Sequence, residues 1–345
     1  MGLLSLLEVS SMPMIQVLLL CLLGAFMATQ YLNLLPLHAR NSLNKIVFAV
    51  FTPCLVFASL AKTVRLEDII SWWFMPVNIG LTFLVGGTLG WIAVKILRPL
   101  PHLQPLIIAM CSTAMCKEDG NPFGDKNVCS TKGLSYVSFS MALGSFYIWT
   151  YTYHLIKSAG AIYREMVAAA EEENSKEPNK DLEANEKTLL LNGSNAIEDV
   201  SWLRNLIIGD NAPLRVIDDS IVLLGDATIP CITLILGGNL TQGLRKARLG
   251  SLTVIAVICV RYIILPVVGI GVVKAASHLG FLPSDPLYHF VLMIQFTLPP
   301  AMNIGTMTQL FDVAQEECSV LFLWTYLVSA VALTGWSTVF MWILS

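Results

Sequence analysis

The sequence predicts an all-α polytopic membrane protein with one broken helix. Three observations predict it. The 345 residues are 55% hydrophobic and only 13% charged, and long uncharged apolar runs cover most of the chain. Runs of about 20 apolar residues are what a helix needs to cross a bilayer. The charges are concentrated instead of spread, with ten acidic and five basic residues between Lys157 and Val200. Finally, one apolar run is interrupted by two successive prolines, in Gln295-Phe296-Thr297-Leu298-Pro299-Pro300-Ala301-Met302-Asn303.

Hydropathy marks eight spans, over 13–35, 43–61, 72–97, 133–156, 220–243, 249–273, 286–311 and 318–344. The first is too long for a signal-peptide core and has no basic region before it, so it reads as a retained helix. A ninth apolar segment, 103–116, is short. About 14 residues rising about 1.5 Å each reach about 21 Å, against a hydrocarbon core of about 30 Å. Trp72 and Trp73 sit where an interfacial belt would anchor them, whereas Trp324 and Trp336 fit helix packing equally well. Cys21, Cys54, Cys231 and Cys259 fall inside apolar runs and read as small buried hydrophobes. The spacing of Cys111, Cys116 and Cys129 fits no zinc pattern.

The segment 157–200 reads as a hydrophilic loop. Its Glu171-Glu172-Glu173-Asn174-Ser175-Lys176-Glu177-Pro178 stretch holds too little apolar surface to fold alone, although Ala161 to Glu173 can extend the preceding helix. Two halves are suggested on either side. Thr52-Pro53-Cys54-Leu55 is echoed by Ile229-Pro230-Cys231-Ile232, and Val85-Gly86-Gly87 by Val267-Val268-Gly269. Loop charge conflicts with matched halves. Lys95 with Arg98, and Arg245-Lys246-Arg248, both favour the cytoplasm, yet they face the same side only if 103–116 does not cross. The chain thus reads as short of apolar sequence near residue 114 and before Trp202.

The chain resembles the plant PIN-LIKES proteins of the auxin efflux carrier family. The resemblance rests on Asn44-Lys45-Ile46-Val47-Phe48-Ala49-Val50-Phe51-Thr52-Pro53-Cys54, Ile70-Ser71-Trp72-Trp73-Phe74-Met75-Pro76, Gly133-Leu134-Ser135-Tyr136, Trp202-Leu203-Arg204-Asn205-Leu206 and Phe296 through Asn303. It implies an inverted-repeat transporter fold, with ten spans in two five-helix repeats and broken fourth and ninth helices crossing at the midplane. It also implies residence in the endoplasmic reticulum membrane and a part in intracellular auxin accumulation and homeostasis. Against that pattern this chain is incomplete. Residues 1–156 form an N-terminal membrane repeat with a truncated fourth helix, 157–200 the hydrophilic loop, and 201–345 a C-terminal repeat largely without its first helix.

A broken helix in a bilayer survives only when buried or lining a wet cavity, and secondary transporters build midplane sites from such breaks. The candidate substrate contacts are therefore Pro299, Pro300, Asn303, Gln295 and Thr297, joined by Pro53 and Pro230 from the echoed motifs. The expected ligand is auxin, indole-3-acetic acid, or a similar aromatic carboxylate. A half-helix starting at Ala301 offers free N–H groups and a positive dipole end to its carboxylate. Two ionisable residues fall inside spans, Asp226 and Arg261. Such residues are costly in lipid, so they read either as a packing pair or as groups that couple to substrate or proton.

No P-loop, zinc motif or nucleophile elbow is present, which argues against an enzyme, and no cofactor or metal is expected. No basic stripe suggests nucleic acid. The expected partners are the substrate, the lipid bilayer and a second copy of the chain. A competing reading is a non-transporting truncated form that associates with intact carriers or is degraded. Asn192-Gly193-Ser194 is a sequon that would report a lumenal loop.

Overall fold

The computed structural model describes residues 3–63, 72–112, 126–174, 215–246 and 249–344. Among them every regular element is a helix. The order is α1 (Leu3–Met27), α2 (Leu37–Ile46), α3 (Thr52–Thr63), α4 (Phe74–Leu97), α5 (Gln104–Ser112), α6 (Lys126–Tyr147), α7 (Tyr153–Asn174), α8 (Arg215–Asp226), α9 (Thr228–Lys246), α10 (Ser251–Cys259), α11 (Leu265–His278), α12 (Pro286–Ile294), α13 (Asn303–Leu310) and α14 (Gln315–Leu344).

Several neighbours are single rods with a local bulge. Five-residue π-turns at Val47–Phe51, Ile148–Thr152 and Val260–Ile264 join α2 to α3, α6 to α7 and α10 to α11. Two of these turns lie just before a proline, Pro53 and Pro266. A π-bulge is a way of widening the helix where a ring displaces the i−4 carbonyl. At the first, the Thr52 hydroxyl donates to the Val47 carbonyl at 2.9 Å. Pro230 is handled by one non-helical residue, Ala227, between α8 and α9.

Five of these continuous stretches are long and apolar enough to cross a membrane: Leu37–Ala58, Phe74–Leu97, Arg215–Thr241, Ser251–His278 and Gln315–Leu344. The expected 133–156 span lies within the α6–α7 rod. The expected 13–35 span is helical only to Met27, and 286–311 is two half-helices. Of the short 103–116 segment, residues through Ser112 are described and lie mostly in α5, with Ile107, Met110 and Cys111 fully buried; 113–116 lie outside the described residues. α5 packs against α4, where a Cβ on Gly86 would collide with the Cys111 carbonyl.

A second close crossing holds α1 against α9. Gly24 faces the Leu234 carbonyl and Gly237 faces the Cys21 carbonyl, so a Cβ on either glycine would overlap backbone. Small residues at both contact points let the helices approach this closely. α14 packs along both. At the centre of the bundle every residue from Val291 to Ala301 is buried.

Candidate substrate site at the broken helix

α12 begins under control and ends abruptly. Asp285 caps it, its carboxylate accepting the Leu287 N–H at 3.0 Å, with Pro286 in the first turn. After Ile294 the chain tightens, with Phe296 N–H to the Met293 carbonyl at 3.1 Å and Thr297 N–H to Ile294 at 2.8 Å. Pro299 and Pro300 then offer no N–H, and the helix resumes only at Asn303. Three carbonyls within the break are met by side chains. Arg261 donates from Nε to Leu298 O at 2.7 Å and from Nη2 to Pro299 O at 3.4 Å. The Tyr326 hydroxyl donates to Pro300 O at 3.0 Å.

The amides on the other side of the break are treated differently. Ile304 and Gly305 N–H groups turn back on the Ala301 and Met302 carbonyls at 3.1 and 2.9 Å. The N–H groups of Ala301, Met302 and Asn303 find no acceptor among the described residues. The break therefore has its 298–300 carbonyls met and, among the described residues, three successive open donors at the positive end of α13. A carboxylate is the ligand such a set of donors suits.

Arg261 also reaches α5. Its Nη1 donates to Cys111 O, near the C-terminal end of α5, at 2.9 Å. One fully buried guanidinium thus ties α5, the 298–299 carbonyls and the α10–α11 rod together. Its planar fork suits several carbonyls at once, and each bond is charge-assisted.

Gln295 anchors the α12 side. It accepts from Asn78 Nδ2 at 2.7 Å and donates to Ser140 Oγ at 2.9 Å, while Asn78 also donates to Leu292 O at 3.1 Å. Thr297 Oγ1 is buried without a partner, and the amide of the buried Asn303 makes no hydrogen bond among the described residues. Beside the break lies an apolar cavity of about 20 Å³, lined in part by Leu18, Cys21, Leu236, Met302, Phe322 and Tyr326. That is room for about one water and not for an indole ring, so an aromatic ligand enters only if helices move apart.

Of the residues singled out in the sequence, Gln295, Thr297, Pro299, Pro300, Asn303 and Arg261 converge here. Asp226 does not. It is exposed on α8 and forms no ion pair with Arg261, which is directed to backbone carbonyls instead. Pro53 and Pro230 are exposed on their helices and not among the buried residues of the break; the first follows a π-turn and the second a single non-helical residue. Asn78, Ser140, Cys111 and Tyr326 belong to the site but carried no sequence signal, since each contributes through a tertiary contact with distant backbone or side chain. The Trp202 motif, the sequon and most of the hydrophilic loop lie outside the described residues.

Comparison with known proteins places this geometry in context. The family described as Membrane transport protein matches residues 9–195 and 194–337. PIN-LIKES 7 of Arabidopsis thaliana is 54% identical over 398 aligned positions that cover 100% of each chain. PIN-LIKES 5 of the same plant is 54% identical over 396 positions, again covering 100% of each. An uncharacterized transporter of Saccharomyces cerevisiae is 23% identical over 412 positions, covering 95% of each. The alignment with PIN-LIKES 7 is 53 positions longer than the 345 residues of this chain.

Proposed function

We propose a transport function from one premise: the chain belongs to the Membrane transport protein family, and within it to the PIN-LIKES proteins. It is a multi-pass membrane protein, and on our reading a carrier and not an enzyme. Its substrate is auxin, indole-3-acetic acid, carried across the endoplasmic reticulum membrane by alternating access, with intracellular accumulation and auxin homeostasis as the outcome. The observation that carries this reading is the row of open N–H groups at Ala301, Met302 and Asn303 inside a buried break. A carboxylate accepts such donors, and Asn303 adds an amide that the fold does not use. The auxin assignment itself comes from the family resemblance.

A second reading is a non-transporting truncated form that associates with intact carriers or is degraded; the alignment with PIN-LIKES 7 spans 398 positions for 345 residues. A chain with a truncated fourth helix in its 1–156 repeat, and largely without the first helix of its 201–345 repeat, would not complete a transport cycle. One experiment separates the two. Purified full-length chain is tested for binding of tritiated indole-3-acetic acid and, in proteoliposomes, for its uptake. Binding with uptake supports the carrier, binding without uptake supports the non-transporting form, and absence of both overturns the substrate assignment.

A further inference from the structure

Along α13 runs a polar seam, mostly buried. Asn303, Thr306 and Gln309 recur at spacing three and so share one face of α13. Opposite them α2 presents Asn41 and Asn44, and α9 presents Asn239. Asn44 Nδ2 donates to Thr306 O at 3.0 Å, Asn239 Nδ2 to Gln309 Oε1 at 2.9 Å, and Gln309 Nε2 to Asn41 Oδ1 at 2.7 Å. The seam ends at Arg40, only 2% exposed, whose Nη1 donates to Asn239 Oδ1 at 2.6 Å. Gly238 makes room for it, since a Cβ there would sit 2.8 Å from Arg40 Cδ.

The seam is poorly explained as glue. Arg40 Nε, Asn44 Oδ1 and Thr306 Oγ1 are buried without partners, and each such atom is a cost to the folded state. A buried cation is dearer still, and apolar side chains of similar size would hold these helices at least as well. Glu316 acts on Arg40 by charge but makes no ion pair with it. Polar groups kept at that cost and aligned from the break to a buried cation are those of a closed route for an anion.

We propose that the seam between α2, α9 and α13 is the closed passage by which the anion reaches or leaves the break, and that Arg40 selects for negative charge along it. The proposal rests on the reading of the break as an anion site. The test uses the full chain in membrane vesicles, with Thr306→Cys treated by an anionic sulfonate or a cationic trimethylammonium methanethiosulfonate. Modification is read at that peptide by mass spectrometry and normalised to each reagent's rate with free thiol. Ser42→Cys, exposed on α2, is the positive control. We expect Thr306→Cys to react, with about a tenfold preference for the anion, the order by which a charged cleft biases encounter. Arg40→Gln abolishes the preference and Arg40→Lys retains it.

A Thr306→Cys that stays inert while Ser42→Cys reacts overturns the passage and leaves a static lock. A preference unchanged in Arg40→Gln overturns the selecting role. Should Arg40→Gln fail to fold, a Thr306→Cys that shows no anion preference, either with Arg40 intact or combined with Arg40→Lys, overturns that role as well. Binding of tritiated indole-3-acetic acid is measured in parallel. Its loss with intact labelling counts against the substrate, and labelling lost with intact binding counts against the seam.

Discussion

Arg261 and Cys111 stand 150 positions apart, and a 2.9 Å hydrogen bond from the guanidinium Nη1 to the Cys111 carbonyl joins them at the centre of the bundle. The same guanidinium holds the Leu298 and Pro299 carbonyls, so a single side chain ties α5 to the break. Removing it strands buried carbonyls, each costing about 1–3 kcal/mol. Arg261→Met is expected to lose about 3–5 kcal/mol of stability, and Arg261→Lys less, because an ammonium reaches fewer of the three oxygens. Thermal unfolding followed by fluorescence-detected gel filtration checks the order; a tolerated Arg261→Met would remove Arg261 from this role.

Asp226 and Arg261 should be energetically independent. Asp226 is exposed and Arg261 is buried among carbonyls. A double-mutant cycle with Asp226→Asn and Arg261→Lys is expected to give a coupling below about 0.5 kcal/mol, the usual limit for sites that share no partners. A coupling of about 1 kcal/mol or more would restore the pairing.

Gln295 and Asn303 flank the same break with opposite commitments. Gln295 is bonded to Asn78 and Ser140, so Gln295→Ala should cost about 1–3 kcal/mol of stability. Asn303 makes no such bonds, so Asn303→Ala should change stability by less than about 1 kcal/mol. It should weaken indole-3-acetic acid binding about tenfold, the worth of one charge-assisted hydrogen bond at about 1.5–3 kcal/mol. Equal effects of both substitutions on stability, with no effect on binding, would count against the division of labour.

The α1–α9 crossing gives a packing test. Gly237→Leu forces a side chain into the Cys21 carbonyl and should destabilise by about 1–3 kcal/mol or more. Gly271, where an added Cβ would meet nothing within 4 Å, should accept alanine freely. Comparable melting temperatures for Gly237→Leu and Gly271→Ala would show that the crossing is looser than described.

Much of this arrangement was legible in the sequence. Two adjacent prolines remove two N–H groups in a row, which no single bulge absorbs, so the break and its polar flanks Gln295, Thr297 and Asn303 could be read directly. Pro53 and Pro230 carried the same letter but a different meaning, because a lone proline is accommodated by a π-turn or one non-helical residue. Asp226 and Arg261 fall inside adjacent spans, and position along a span does not fix the face a side chain takes. The carbonyl partners of Arg261 and the Arg40–Asn239–Gln309–Asn41 chain were hidden for a related reason. Backbone acceptors leave no mark on residue type, and such chains form only once α2, α9 and α13 are packed together.

On the function proposed above, the open N–H groups after Pro300 receive a carboxylate. Met302-Asn303 is the one Met-Asn pair in the chain. Carbonyl-¹³C methionine with ¹⁵N asparagine therefore isolates the Asn303 amide in an NMR spectrum of the full protein. With indole-3-acetic acid bound, that amide proton should move downfield, as a new charge-assisted hydrogen bond requires, and it should stay in place with the neutral alcohol tryptophol. An amide that does not move with the acid, or moves equally with the alcohol, would contradict the account.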